Sequence, residues 1–452
     1  MLFTHPLTQI TQSFLRHLFL GSKGLSLFCE VHIYSCTLKK LSTILSSRTA
    51  LGAGVGPSSF YVLSRQRVQT QVNLWKHHLP MVKPFYAVKC NPDMTLMTWL
   101  RQAGVGFDCA SQREIAAVRS VDLSEGGEAA DILFANPCKN TQELVPALIA
   151  GVTTTVVDSH EEIHKLVSRG WAAKDRGDAY LRLRVADAGS KMPFSAKFGL
   201  AVEEAEQLAH HAALKGLPLT GVSFHVGSGC EDPSQYSRAI EEADCALLAL
   251  QRAGHTKATT IDIGGGFTTE GFEDAAKAIN TAKDRCHTAK RFVAEPGRFF
   301  AQNSHDLFVQ VIGKKPGPRG GFRYTIDESL YGQFSCIPYD HAAPRWIRVR
   351  KQGEAQRQKK PAVLYGRTCD SVDFIAAATE AEELDEGDWL WFPNMGAYTT
   401  VTSTEFNGFP KPQMLILDTT NQKQLPDPTN FQESEWPQGC QYVSAVKVPQ
   451  MA

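Results

Sequence analysis

Between residues 84 and 294 the chain alternates between short apolar runs and longer stretches of helical periodicity. The apolar runs fall at 84–88, 105–108, 131–134, 153–157, 179–185, 219–226, 258–263 and 291–294. They have strand length and strand composition, and nearly all end in polar or glycine-rich residues. Helical stretches lie between most pairs. At 203–215, Ala205, Leu208, Ala209 and Ala212 share one face, and Gly216 and Pro218 stop the pattern. At 234–253, Ile240, Ala243, Leu247 and Leu250 do the same, and Gly254 stops it. Eight strands with intervening helices imply a closed parallel barrel, an α/β fold of the (β/α)8 TIM-like type. In such a barrel every strand ends on one face, and chemistry collects there.

After about residue 300 the texture changes. Strand-like runs at 306–312, 322–325, 346–349, 362–365, 389–392 and 412–417 follow one another without long helices, and glycine and proline mark the turns. This is the pattern of a second, mostly antiparallel β domain. The run 27–34 also has strand character. The expected division is therefore an N-terminal extension over 1–26, a barrel over 57–299, and a β domain made from 27–56 and 300–452.

Bulk properties narrow the function classes. Forty-seven basic residues balance forty-seven acidic ones, so nothing favours nucleic acid as a partner. No apolar run reaches membrane-spanning length. Eleven cysteines are scattered without CxxC spacing, which indicates neither a disulfide framework nor a zinc site and suits a reducing compartment. Residues 1–26 carry Arg16 and Lys23, many Ser and Thr, and no acid. A cytoplasmic location is expected, with an organellar one as the alternative if that segment is a transit peptide.

The strand ends carry the candidate chemistry. Pro84-Phe85-Tyr86-Ala87-Val88-Lys89 delivers a lone lysine after an apolar strand. An amine held partly out of water has a lowered pKa and becomes an imine-forming nucleophile, although a lysine on a solvated strand end is the commoner case. Asp262-Ile263-Gly264-Gly265-Gly266-Phe267 puts three glycines after a strand, where backbone N–H groups can converge on an anion. Ala294-Glu295-Pro296-Gly297-Arg298 ends the next strand. Arg298 can complete a phosphate cup. Glu295 either pairs with Arg298 or holds a protonated ring nitrogen. His225 in Phe224-His225-Val226-Gly227-Ser228-Gly229 offers a flat imidazole, followed by a hydroxyl. Lysine, cup, carboxylate and stacking ring together describe a pyridoxal 5′-phosphate site. Metal binding fits poorly, because the histidines and carboxylates lack ligand spacing.

From about Phe60 to Phe409 the chain resembles the eukaryotic ornithine decarboxylase family, which belongs to the alanine-racemase-type pyridoxal enzymes. The segments PFYAVKCNPD, FDCAS, ANPCK, FHVGSGC, DIGGGF, AEPGRFF, YGQFSCIPYDHA, TCD and NMGAYT carry the resemblance. It implies a (β/α)8 barrel with a β domain, and a homodimer whose active sites are shared between subunits. It implies that Lys89 forms the Schiff base and that Asp108 and Glu114 lie near it. Arg184 would lie beneath the cofactor and His225 would stack on it. Ser228, Gly264, Gly265, Gly266, Gly297, Arg298 and Tyr398 would hold the phosphate, and Glu295 the pyridinium nitrogen. Lys197 falls in a segment near the site and the dimer contacts.

The substrate implied is a small basic amino acid, ornithine first, with putrescine as product. Tyr339, Asp340 and Asp370 would bind it, since a distal ammonium taken out of water needs anions. Cys369 resembles the residue that protonates the α-carbon. The chain departs from the family at Ser371 and Arg367, and at Asp327-Glu328-Ser329-Leu330. Those changes sit on the substrate side, so lysine or another basic amino acid is the alternative. A non-catalytic paralogue that binds the inhibitor protein antizyme is a reading from another class. The survival of Lys89, Glu295 and Cys369 speaks against it.

Overall fold

The computed structural model describes residues 59–173, 176–350, 353–418, 437–438 and 440–442. The segments 1–26 and 27–56 of the expected domain division lie outside the described residues.

The first strand, β1 (Phe60–Ser64), has five buried residues in succession, FYVLS. The sequence division assigned it to the barrel segment. Its partners place it elsewhere, as described below. Then come β2 (Val82–Ala87), β3 (Gly106–Cys109), β4 (Ile132–Phe134), β5 (Thr154–Val157) and β6 (Asp178–Arg182), each followed by at least one helical turn or an excursion. After β6 the chain makes β7 (Ser190–Met192), then β8 (Leu219–Ser223), β9 (Ser228–Cys230), β10 (Thr260–Asp262) and β11 (Arg291–Ala294). Eight of these close a barrel in the order β10-β11-β2-β3-β4-β5-β6-β8. All of its pairings are parallel. All eight expected strands are present within a few residues of their expected positions. β7 and β9 form a separate antiparallel pair over the barrel mouth.

The second sheet holds β12 (His305–Pro316), β13 (Phe322–Ile326), β14 (Ile347–Arg348), β15 (Lys359–Tyr365), β16 (Phe374–Glu382), β17 (Trp389–Phe392), β18 (Gln413–Leu417) and β19 (Gln441–Tyr442). β1 joins this sheet, antiparallel to β12 and parallel to β18. Phe60 stacks on Phe308 with ring centroids 5.0 Å apart. Residues before the barrel thus complete the β domain, and the barrel is inserted after β1. The β16 strand, FIAAATEAE, is not among the expected strands, because its alanines show no clear alternation.

The helix Arg65–His78 begins at Ser64, whose Oγ accepts the Arg67 N–H. Its buried Trp75 packs among Phe267, Phe272, Phe299 and Phe300. Phe267 follows the glycine run and Phe299 follows Arg298. One aromatic cluster therefore seats both candidate anion-binding segments on the same support.

Candidate active site

Strand parity decides which side chains face the barrel axis. Phe85, Leu133, Val156, Tyr180 and Val293 pack together inside the barrel. Successive side chains alternate faces, so inward positions recur every second residue. Going towards the strand ends, this brings in Arg182 after Tyr180, Glu295 after Val293 and Lys89 after Phe85. Gly106 also faces inward, since a Cβ there would meet the Phe85 ring, and Asp108 follows it. The polar residues at the mouth thus continue the apolar column below.

Lys89 lies in the single turn Val88–Cys90 that directly follows β2. Its Nζ reaches Asp108 Oδ2 at 3.1 Å. Asp108 is 2% exposed. Burial alone lowers the lysine pKa, but the carboxylates of Asp108 and Glu295 outweigh it, and the net shift is upward. This corrects the expectation that desolvation makes the free amine nucleophilic. The amine is instead held protonated, with an acceptor carboxylate in contact.

Glu295 is 4% exposed, and its Oε1 has no hydrogen-bond partner. Burial, then Asp262 and Asp108, push its pKa well above the ordinary carboxylate range. Asp262 is raised too, chiefly by burial, while Glu295 and the Gly264 N–H oppose the shift. Two buried carboxyls facing each other cannot both ionise cheaply, so the pair's proton affinity stays above the ordinary carboxylate range. A buried acid with a partnerless oxygen on the barrel axis is suited to meet an N–H donor.

His225 Nδ1 accepts the Gly227 N–H at 2.9 Å. Burial, Arg182 and Lys89 push its pKa well down, so the ring is neutral. Phe194, from the excursion between β6 and β8, lies 4.8 Å from it, centroid to centroid.

The phosphate candidates also converge. Arg298 Nη2 donates to Ser228 Oγ at 3.1 Å, and its guanidinium lies 5.1 Å from the Tyr398 ring centroid. Tyr398 has φ 55, a left-handed conformation that costs free energy in a non-glycine residue. Its N–H is fixed to Cys90 O at 3.0 Å, so this strained residue is tied to the turn that carries Lys89. Gly264 has φ +69, and a Cβ there would fall against the Phe224 carbonyl. At Gly266, with φ +101, a Cβ would sit 2.6 Å from Gly227 O. Gly265 lies against His225 Nε2, and Gly297 against Cys90 and Ala87.

Other expectations fare differently. Arg184 is exposed, while Arg182 is buried and acts electrostatically on both His225 and Glu295. The barrel strand ends at Arg182, and the chain then turns outward to pair Arg184 N with Leu200 O. Arg182, not Arg184, is therefore the arginine of the site. Replacing Arg182 with Met is expected to weaken pyridoxal 5′-phosphate binding about tenfold, and replacing Arg184 to change it less than about twofold. Cofactor titration of the two variants checks this.

Glu114 accepts the Ala110 N–H at 2.6 Å and closes the turn after β3. Lys197 is exposed and lies over the Phe198 ring. Asp340 joins the site through Arg298, at 2.5 Å. Tyr339 is 68% exposed. Cys369 and Asp370 form a separate cluster between β15 and β16. Tyr331 donates its hydroxyl to Asp370 at 2.6 Å, and Cys369 N–H meets Asn407 at 3.1 Å. Buried Asp373 holds that loop by accepting from Leu330 N, Thr368 N and Thr368 Oγ1.

The family model for the pyridoxal-dependent decarboxylase, pyridoxal binding domain, matches residues 65–302. The chain belongs to the pyridoxal-dependent decarboxylase family. It is 37% identical over 362 residues to the chloroplastic ornithine decarboxylase of Nicotiana glauca, covering 77% of this chain and 81% of that one. Against the ornithine decarboxylase of Caenorhabditis elegans it is 36% identical, covering 78% and 86%. Among solved structures, the arginine decarboxylase of Paramecium bursaria Chlorella virus superposes with a TM-score of 0.77 at 34% identity, covering 84% of this chain and 100% of that one. Pyridoxal 5′-phosphate, the family's cofactor, fits the residues present. Glu295 Oε1 lacks a partner, and the glycine cradle leaves no room for side chains.

Asp327, Glu328 and Arg367, expected on the substrate side, each contact the chain's own backbone or rings. Asp327 accepts Ser59 N at 2.6 Å and Gln310 N at 2.7 Å. Glu328 accepts Ser329 N and Gln333 N. Arg367 lies 4.3 Å from the Phe409 ring centroid and donates to Pro410 O. Burial raises Glu328 from its ordinary 4.5 to about 7. Between those values the native state keeps a proton that the unfolded chain has released, so stability falls as pH rises through this window. Glu328→Gln is expected to stabilise the protein by about 2 kcal/mol at pH 8 and by little at pH 5. Thermal melts at the two pH values test this.

Proposed function

We infer that this decarboxylase converts L-ornithine to putrescine and carbon dioxide, using pyridoxal 5′-phosphate bound at Lys89. The observation that carries the reading is the partnerless Oε1 of buried Glu295, at the end of β11, the strand paired with the β2 that leads to Lys89 and its partner Asp108. The cofactor, when bound, supplies a carbonyl that captures amines and a ring that accepts electrons from the breaking bond.

The chain's own residues do the rest. Asp108 takes the proton that Lys89 Nζ must shed before it can act as a nucleophile. His225, neutral and backed by Phe194, presents its face to the ring. Glu295 holds the ring N–H and keeps the ring protonated, which favours decarboxylation over racemisation, where a cationic partner is preferred. Ser228, the glycine run, Arg298 and Tyr398 hold the phosphate. Asp340, buried with a partnerless Oδ2, meets the distal ammonium, as does Asp370. The Cys369 thiol delivers a proton to the α-carbon.

Cys369 and Asp370 are exposed or half-exposed, and their contacts lie in a cluster apart from Lys89. This supports their acting in the site of a second copy. Subunit mixing tests it. Lys89→Ala and Cys369→Ala proteins, each expected to make little product alone, are expected to regain about a quarter of wild-type activity when mixed, because half the dimers then contain one intact site. No recovery would place both residues in one chain's site.

No described helix is long and apolar enough to cross a membrane. We assign the enzyme to the cytoplasm, with an organellar location resting on residues 1–26 alone. Antizyme remains a partner suggested by the resemblance only.

A further inference from the structure

We propose that Asp340 competes with the cofactor's phosphate for Arg298, so that an ammonium group bound at Asp340 tightens the hold on the cofactor. This rests on the functional reading above. Arg298 Nη2 donates at once to Asp340 Oδ1, at 2.5 Å, and to Ser228 Oγ, at 3.1 Å. All three residues line one cavity of about 530 Å³ at the junction of barrel and β domain. The arginine expected to meet the phosphate therefore already carries a carboxylate.

The charges make this arrangement antagonistic. An anion seated at Ser228 and Arg298 shares one guanidinium with Asp340 and lies beside a like charge in a partly dry cavity. Asp340 is 9% exposed, so water screens it little. Lys191 and His341 also face it and offset part of its charge. Lys191 itself is exposed and pairs with Glu231 at 3.5 Å, which leaves Arg298 as the close partner. His341 holds φ 50, a strained conformation that fixes the backbone next to Asp340. The second oxygen of Asp340, Oδ2, is buried without a partner. A cation at Oδ2 cancels the charge that opposes the phosphate, and Arg298 can then turn to the phosphate. By linkage the effect is mutual: a bound cofactor raises the affinity for the cation by the same factor.

The test uses the full-length protein stripped of cofactor and titrated with pyridoxine 5′-phosphate in a calorimeter. That probe has the ring and phosphate but no aldehyde, so a diamine cannot react with it. Asp340→Asn is expected to bind the probe about tenfold more tightly than wild type. Saturating putrescine is expected to tighten binding to wild type and to leave Asp340→Asn unchanged. Pyridoxine, which lacks the phosphate, is expected to bind both proteins alike. Equal or weaker binding of the probe by Asp340→Asn would overturn the proposal. So would a wild-type affinity indifferent to putrescine, a measurement that needs no variant. A wild-type protein that binds no pyridoxine 5′-phosphate at all would instead sink the functional reading itself.

Discussion

Replacing Lys89 with alanine is expected to cut carbon dioxide release from ornithine by about three orders of magnitude or more. Among the described residues no second amine lies in the same place. Lys139 is buried, and its Nζ is spent on Asn136 O, Val156 O and Glu162. Lys83 sits at the opposite end of β2, paired with Asp131. The loss should persist when cofactor is added in excess, because phosphate and ring contacts survive the substitution. A variant that binds the cofactor yet keeps turnover within tenfold of wild type would remove Lys89 from the mechanism. The fold should be unaffected, since Lys89 lies at the barrel rim with its side chain 43% exposed.

The second large effect is expected at Glu295. Glu295→Gln keeps size and shape but cannot supply an anion to a ring N–H, and a drop of about a hundredfold in kcat is expected. The substitution also removes one member of the buried Glu295–Asp262 pair. Burial, Asp262 and Asp108 hold Glu295 up, so its raised proton affinity disfavours the folded state as pH rises above the ordinary carboxylate range. The variant should therefore melt no lower than wild type at pH 8 while turning over far more slowly. Loss of activity with a matching loss of stability would point to a structural role instead.

Much of this was legible in the chain. Eight strand runs gave the barrel because parallel strands buried on both faces read as continuous apolar segments. Lys89, Glu295 and Arg298 stood out because each breaks such a segment at its end. Arg184 was misplaced for a related reason. The run 179–185 was read as one strand, while the barrel strand stops at Arg182. Parity alone does not separate residues 182 and 184, and only the exit of the chain does. Asp262 gives no sequence signal of its own beside the glycines that follow it, although it shares the inward face with Glu295. β1 falls inside the expected barrel segment because it directly precedes the barrel in sequence. Its true partners, β12 and β18, lie about 250 and 350 residues away, beyond the reach of local pattern. Spacing alone does not place the loop that carries Cys369, because Asp373 anchors it from within the β domain.

The most direct test is carbon dioxide release from ornithine, lysine and arginine, measured in parallel with added pyridoxal 5′-phosphate. Release is expected to be fastest from ornithine and to depend on the cofactor. Faster release from lysine or arginine, or none from any of the three, would contradict the assignment.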